Sequence, residues 1–137
     1  MQSDTHIVGA ATLQSGLLLT TNVQDPDLIA GSLIVAASGA LLPDFDHAGS
    51  RISNRYPLVG WIGRLFKHRG FSHTLFFWIL LSAGLYAGYL FGVRKAWWPE
   101  NSLIYPGIAV FVASGLSHIL LDYLTPSGVP WFGPFSW

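Results

Sequence analysis

From Thr74 to Val93 the chain runs for twenty residues, TLFFWILLSAGLYAGYLFGV, without a single charge. At 1.5 Å of helix rise per residue such a run covers ~30 Å, the thickness of a bilayer's hydrocarbon core. A second run, about Leu103 to Leu124, is also long enough to span, but it carries His118 and Asp122 near its end. Composition points the same way. Charged residues make up 10 % of the 137 and hydrophobic ones 51 %, against about 25 % charged in a typical soluble domain. Fifteen glycines fit closely approaching membrane helices. The formal net charge is zero, so no nucleic-acid partner is expected. The absence of cysteine excludes disulfides and thiolate-bound metal. The start, MQSDTHIVGAA, lacks the basic n-region of a cleaved signal peptide.

Two shorter apolar runs precede these, about His6 to Thr20 and about Leu28 to Leu42, separated by the turn TNVQDPD with Pro26 placed to start a helix. Each falls short of the ~20 residues that cross a bilayer unaided and needs bundle neighbours. The expectation is an all-α, polytopic membrane bundle of about four helices in up-down order, forming one domain over residues 1–137, with Leu58 to Phe66 as a short surface helix in the intervening loop. Arg94 and Lys95 with Trp97 and Trp98 mark one interface, and the Pro-, Gly- and Trp-rich TPSGVPWFGPFSW reads as an interfacial loop.

Up-down order has a chemical consequence. His6 opens the first run, PDFDH closes the second, HRGFSH opens the third and HILLD closes the fourth. The unusual polar residues then collect at one membrane face. The 48–72 loop on that face holds Arg51, Arg55, Arg64, Lys67 and Arg69, so positive-inside logic makes the face cytoplasmic.

All five histidines lie in these clusters, with Asp44, Asp46 and Asp122. Imidazole and carboxylate suit zinc and similar divalent ions, and ionisable groups at membrane depth are costly. His118 and Asp122, four apart on a helix, share a face, where they serve equally as two ligands of one ion or as a hydrogen-bonded pair. Asp44, Asp46 and His47 follow Pro43 and, taken alone, read as a polar turn. In HRGFSHT, Gly70 permits a bend that brings His68 and His73 together. Arg69 there suits bidentate contact with a phosphate or marks topology, and Ser72 stands as an N-cap whose helix aims free N–H groups at an anion. His6 alone is a weak signal. Together, four separate segments delivering His and Asp to one face favour a metal site, and eight candidate ligands exceed what one tetrahedral ion takes. No H-E-x-x-H helix, G-x-S-x-G elbow or P-loop is present. The order Asp46–His47 reverses the His–Asp dipeptide of a large phosphohydrolase class.

THIVGA, LLPDFDH, HRGFSHT and SHILLDYLTPSGVPWFGP, in this order, resemble the YdjM-like family of bacterial inner-membrane proteins, described as metal-dependent hydrolases and grouped with the zinc-dependent phospholipase C and P1 nuclease superfamily. The resemblance covers nearly the whole chain. It implies metal binding by His6, Asp44, His47, His68, His73, His118 and Asp122, one to three divalent ions with zinc expected, and an inner-membrane location. Two departures stand beside it. Soluble members of the superfamily use an N-terminal tryptophan as a ligand where this chain has Met1. Family members also often continue past the segment matching GVPWFGP, whereas this chain stops at Trp137.

The resulting expectation is a membrane-bound metal-dependent hydrolase cleaving a phosphate ester of a lipid or lipid-linked substrate. In it Asp46 orients or deprotonates the attacking water, and Arg69 stabilises developing phosphoryl charge. Its rivals are a divalent-metal transporter, which needs ligands toward both faces, and a non-enzymatic membrane protein with a structural metal site.

Overall fold

A computed structural model of the chain describes residues 3–46, 71–100, 102–125 and 128–129. Among these residues it is entirely helical, with four α-helices: α1 (Ser3–Thr20), α2 (Pro26–Leu41), α3 (Leu75–Arg94) and α4 (Ile104–Tyr123). Single 3-10 turns, Pro43–Asp46 and Phe71–His73, follow α2 and precede α3. No strand occurs among the described residues. The expected surface helix at 58–66 lies outside them, as does most of the C-terminal loop.

Local chemistry sets the ends of these helices. α1 stops where Asn22 takes a left-handed φ of 52°, which a short polar side chain tolerates. The Asp25 carboxylate then caps α2, accepting from the N–H groups of Asp27 at 2.8 Å and Leu28 at 3.2 Å, with Pro26 in the first turn. α2 cannot continue through Pro43, which has no N–H to donate. α3 closes in a Schellman turn: Ala96 is left-handed at φ 54°, its N–H donates to the Val93 carbonyl, and the Trp97 N–H donates to that of Gly92. This turn folds Trp98 back over Gly92, where its Nε1 donates to the Tyr89 carbonyl. Of the two tryptophans, then, Trp97 is the one that stands exposed.

α4 is the hub and packs on each of the other three helices, while α1 and α2 also pack on each other. α1 and α4 are antiparallel, since His6 meets Asp122 and Gly9 meets Leu121. α3 and α4 are antiparallel as well, with Trp78 beside Gly115 and Tyr89 beside Tyr105. Consequently the start of α1, the end of α2, the start of α3 and the end of α4 share one end of the bundle. This is the up-down arrangement that the run lengths imply.

The packing is inverted relative to a water-soluble bundle. Inside lie Ala10, Ala36, Gly39, Ala40, Ser114 and Gly115. Outside stand large apolar side chains, among them Val8 (63 % exposed), Ile34 (68 %) and Ile79 (58 %). Water would expel such a surface, whereas lipid accepts it, and small residues inside let backbones approach closely. α3 and α4 are the two described helices long and apolar enough to cross a bilayer, and α2 is a shorter apolar helix of 16 residues.

The closest approach is that of α2 to α4, where a Cβ on Gly39 would collide with the Phe111 carbonyl. Gly39→Val therefore forces the two helices apart and should cost about 1–3 kcal/mol. Gly84→Ala, whose new methyl meets nothing within 4 Å, should be neutral or stabilising. Thermal unfolding of both variants in detergent micelles checks the contrast.

Candidate metal centre

The shared end of the bundle gathers His6 from α1, Asp44 from the turn after α2, His73 from the turn before α3, and His118 and Asp122 from α4. All five are buried, and the three imidazoles are 0 % exposed. Asp122 sits at the middle. Its Oδ1 is 3.3 Å from His6 Nε2, and its Oδ2 is 3.5 Å from His73 Nε2 and 3.6 Å from His118 Nε2. On its other side, His118 Nε2 lies 3.6 Å from Asp44 Oδ1. The ring of His6 stacks on that of His118, with centroids 3.5 Å apart and planes 14° from parallel.

Hydrogen bonds on the far edges of two rings fix which nitrogen faces this cluster. His118 Nδ1 lies 2.6 Å from the Ala40 carbonyl, which can only accept, so Nδ1 carries a proton and, in the neutral ring, Nε2 is the nitrogen whose lone pair faces the cluster. The Ser72 hydroxyl donates its one hydrogen to the Pro43 carbonyl at 3.1 Å. The 3.1 Å contact between Ser72 Oγ and His73 Nδ1 is therefore a bond donated by the imidazole, and His73 also turns a bare Nε2 inward.

In the neutral rings these nitrogens and the carboxylate oxygens are all acceptors, 3.5–3.6 Å apart and beyond ordinary hydrogen-bond length, so a shared positive charge, a cation or a proton on a ring, is what reconciles them. His118 Nε2 and both nitrogens of His6 have no hydrogen-bond partner among the described residues. Buried polar atoms in that condition signal an ion, a water or a chemical role. Zinc–ligand distances of roughly 2.0–2.1 Å give tetrahedral edges of about 3.3–3.4 Å. The spacings of 3.3–3.6 Å in the cluster are of that order. Two groups have donor atoms all within 4.8 Å of one another: Asp44, His73 and His118, and His6, His118 and Asp122. Either group could hold a divalent cation, and His118 belongs to both.

The surroundings hold this geometry. Trp78, 1 % exposed, lies against Gly115 and donates from Nε1 to the Ser72 carbonyl at 3.1 Å, pinning the turn that carries His73. The N-cap of α3 is Thr74, in extended conformation, whose hydroxyl accepts from the Phe77 N–H. The sequence places Ser72 in that role, and the structure corrects this: the Ser72 hydroxyl is engaged by Pro43 and His73. α3 accordingly starts at Leu75, and an anion site at N–H groups near Ser72 does not follow.

Of the residues expected to bind metal, the structure brings together His6, Asp44, His73, His118 and Asp122. His47 and His68 lie outside the described residues, as does Arg69 of the two expected catalytic groups. Asp46 lies in the described 3-10 turn, but its side chain is outside the described set. The sequence reading misses Trp78 and the carbonyls of Ala40 and Pro43. A backbone acceptor leaves no mark in a sequence, although an indole six residues after a serine in a His-bearing turn is a weak pointer.

The YdjM inner membrane protein family matches the chain over residues 1–137. The inner membrane protein YdjM of Escherichia coli (strain K12) and that of Shigella flexneri are each 39 % identical over 99 residues, which is 71 % of this chain and 46 % of theirs. The uncharacterized protein YvsG of Bacillus subtilis (strain 168) is 29 % identical over 130 residues, 94 % of this chain and 71 % of that protein. The chain's match thus spans about half the length of the two YdjM relatives. No solved structure matches it.

The hydrogen bond to Ser72 yields a test of the cage. Ser72→Ala removes the acceptor that orients His73 without touching a ligand, and outer-shell losses of this kind typically weaken metal binding by 10–100-fold. Zinc titration of the purified protein by calorimetry should show that drop, with helical content by circular dichroism unchanged.

Proposed function

The chain belongs to the YdjM inner membrane protein family, and from that premise we propose that it is a membrane-bound, metal-dependent hydrolase cleaving a phosphate ester of a lipid or lipid-linked molecule. One observation carries the reading. Two imidazoles with bare Nε2 atoms and two carboxylates converge in a buried cage at one end of an outwardly apolar bundle. Sites that merely hydrogen-bond do not aim acceptors at acceptors.

Asp44, His73, His118 and Asp122 would hold a divalent ion, with zinc favoured by the mixed imidazole and carboxylate donors. Such an ion supplies Lewis acidity and lowers the pKa of a water from 15.7 toward ~7. The protein's own contribution is orientation and exclusion. Ala40 and Ser72 lock two imidazoles in the ligating tautomer. Trp78 and the alanine- and glycine-lined helices behind them keep bulk water from the inner side. Asp46 is assigned to accept the proton of the attacking water and Arg69 to balance phosphoryl charge, both from their places in the sequence. The resemblance of its motifs to the zinc-dependent phospholipase C and P1 nuclease superfamily is in keeping with the same chemistry.

Location belongs to the proposal as well. The protein resides in the inner membrane with the cage at the cytoplasmic face. The 48–72 segment, which in sequence joins the turn after α2 to the turn before α3, carries five Arg and Lys residues, and the turn after α3 carries only Arg94 and Lys95. The metal should be found by elemental analysis of the purified protein and should disappear on chelation. His73→Ala and Asp122→Asn should each abolish both metal content and release of phosphate-ester products, with removal of the cage lowering turnover at least ~10³-fold. Metal loading without cleavage of any phospholipid or soluble phosphate ester would reject hydrolysis, and zinc flux into proteoliposomes in its place would reassign the site to transport.

A further inference from the structure

We propose that the cleft between α1, α3 and α4 seats one hydrocarbon chain of a membrane lipid, holding that lipid's headgroup phosphate at the His/Asp cage. This rests on the phosphate-ester reading above and names the part of the substrate that the reading leaves open. The cleft encloses about 340 Å³ and is lined by Leu13, Leu75, Ala113, Leu116, Ile119 and Leu120. It exists because Trp78 keys α3 onto α4 at Gly115, while α1 packs on α2 and α4; the described residues leave the gap between α1 and α3 unfilled.

Position ties the cleft to the cage. Ile119 and Leu120 are level with His118 and Asp122 along α4, although Ala113, Leu116, Ser117 and Leu120 form the face of that helix turned away from them, and Leu75 directly follows the turn that bears His73. Leu13 stands seven residues along α1 from His6, and Ala113 stands five before His118. At ~1.5 Å per residue the cleft runs from the level of the cage about 7–10 Å toward the middle of the bundle.

Chemistry excludes water as its natural content. The polar side chain on the wall is Ser117, whose hydroxyl hydrogen is committed to the Ser114 carbonyl at 2.7 Å. A water needs two to four polar partners, and the cleft does not supply them. Its mouth is open sideways, with Leu13 42 % and Leu120 51 % exposed. These residues are continuous with the outward apolar surface of α3 and α4, which in an inner membrane protein contacts lipid. A lipid chain therefore enters laterally.

Depth agrees. At the far end of the bundle Tyr86, Tyr89, Tyr105 and Trp97 cluster beside Arg94 and Lys95, as residues do at a headgroup interface. The twenty residues of α3 cover ~30 Å, so with that end at one interface His73 lies at the other. A phosphate on a seated chain would then lie at the end of the bundle that bears the cage. A chain moving from lipid into the cleft leaves one apolar medium for another, so the seat contributes orientation more than affinity.

The experiment uses the full chain in nanodiscs of phosphatidylethanolamine and phosphatidylglycerol doped with a phospholipid carrying a diazirine midway along one acyl chain. After illumination, adducts should concentrate severalfold on Leu13, Ala113, Leu116 and Leu120 relative to Ile79 and Leu80, which are at least as exposed. Ala113→Phe, or Leu13→Trp from the opposite wall, should remove that excess while metal content stays constant. Labelling spread evenly over the apolar surface, or unchanged labelling in both variants, would overturn the proposal. In the same samples, cleavage of long-chain over short-chain soluble phosphate esters should fall about tenfold in the variants. Focused labelling with no ester cleaved would sink the hydrolase reading and leave the lipid seat standing. Cleavage indifferent to chain length, with even labelling, would do the reverse.

Discussion

A carboxylate buried at the end of an apolar bundle is the constraint around which this protein is arranged. Asp122 is nearly inaccessible, and its two oxygens face three imidazoles at 3.3–3.6 Å. Charge in such a place is expensive unless it is compensated at short range. The imidazoles that face it come from three separate parts of the chain, the starts of α1 and α3 and the end of α4, while the end of α2 adds a second carboxylate, Asp44, beside His118. A charged hydrogen-bonded pair ordinarily closes to about 2.7–2.9 Å. The wider spacing here leaves room for a cation between the groups.

The cage depends on backbone approach rather than on large side chains. Because Gly39 has no Cβ, α2 comes against the Phe111 carbonyl of α4, and the same contact places the Ala40 carbonyl on His118 Nδ1. Because Gly115 has no Cβ, the Trp78 ring fits against α4 and its indole N–H reaches the Ser72 carbonyl. Ser72 in turn ties His73 to Pro43. Gly39 thus acts on His118 through the Ala40 carbonyl, and Gly115 acts on His73 through Trp78 and then Ser72; in each case helix spacing fixes the group that orients an imidazole. Alanines on the inner faces serve the same end by keeping three helices close, with the bulky residues outside.

Much of this is legible in the sequence because it follows from period and order. Twenty uncharged residues set the length of α3, four-residue spacing puts His118 and Asp122 on one face, and up-down alternation brings His6, Asp44 and His73 to the same end. What escapes is whatever depends on a partner distant in the chain. FSHT offers two hydroxyls fit to cap a helix, and local pattern does not rank them. The Pro43 carbonyl, 29 residues away, engages Ser72 and leaves the cap to Thr74. The Ala40 carbonyl is equally invisible, since every residue has one. The cleft arises from where α3 lies against α4, a matter of relative placement that no window of sequence records. His47, His68 and Arg69 lie at 47–70, so residue type alone speaks for them.

His6 shows how far the donor arithmetic goes. It is wholly buried and stacked on His118, with neither nitrogen hydrogen-bonded among the described residues, and its Nε2 lies nearest the Asp122 oxygen that His73 and His118 do not face. Were it simply another ligand of the same ion, it would be expected on the Oδ2 side, where the other imidazoles converge. Its place on Oδ1 makes Asp122 a carboxylate with two separately served oxygens, the geometry by which one carboxylate bridges two positive centres. His118, with its other nitrogen committed to Ala40, serves only one of them. The described residues therefore offer two overlapping donor groups, Asp44 with His73 and His118, and His6 with His118 and Asp122, joined at His118.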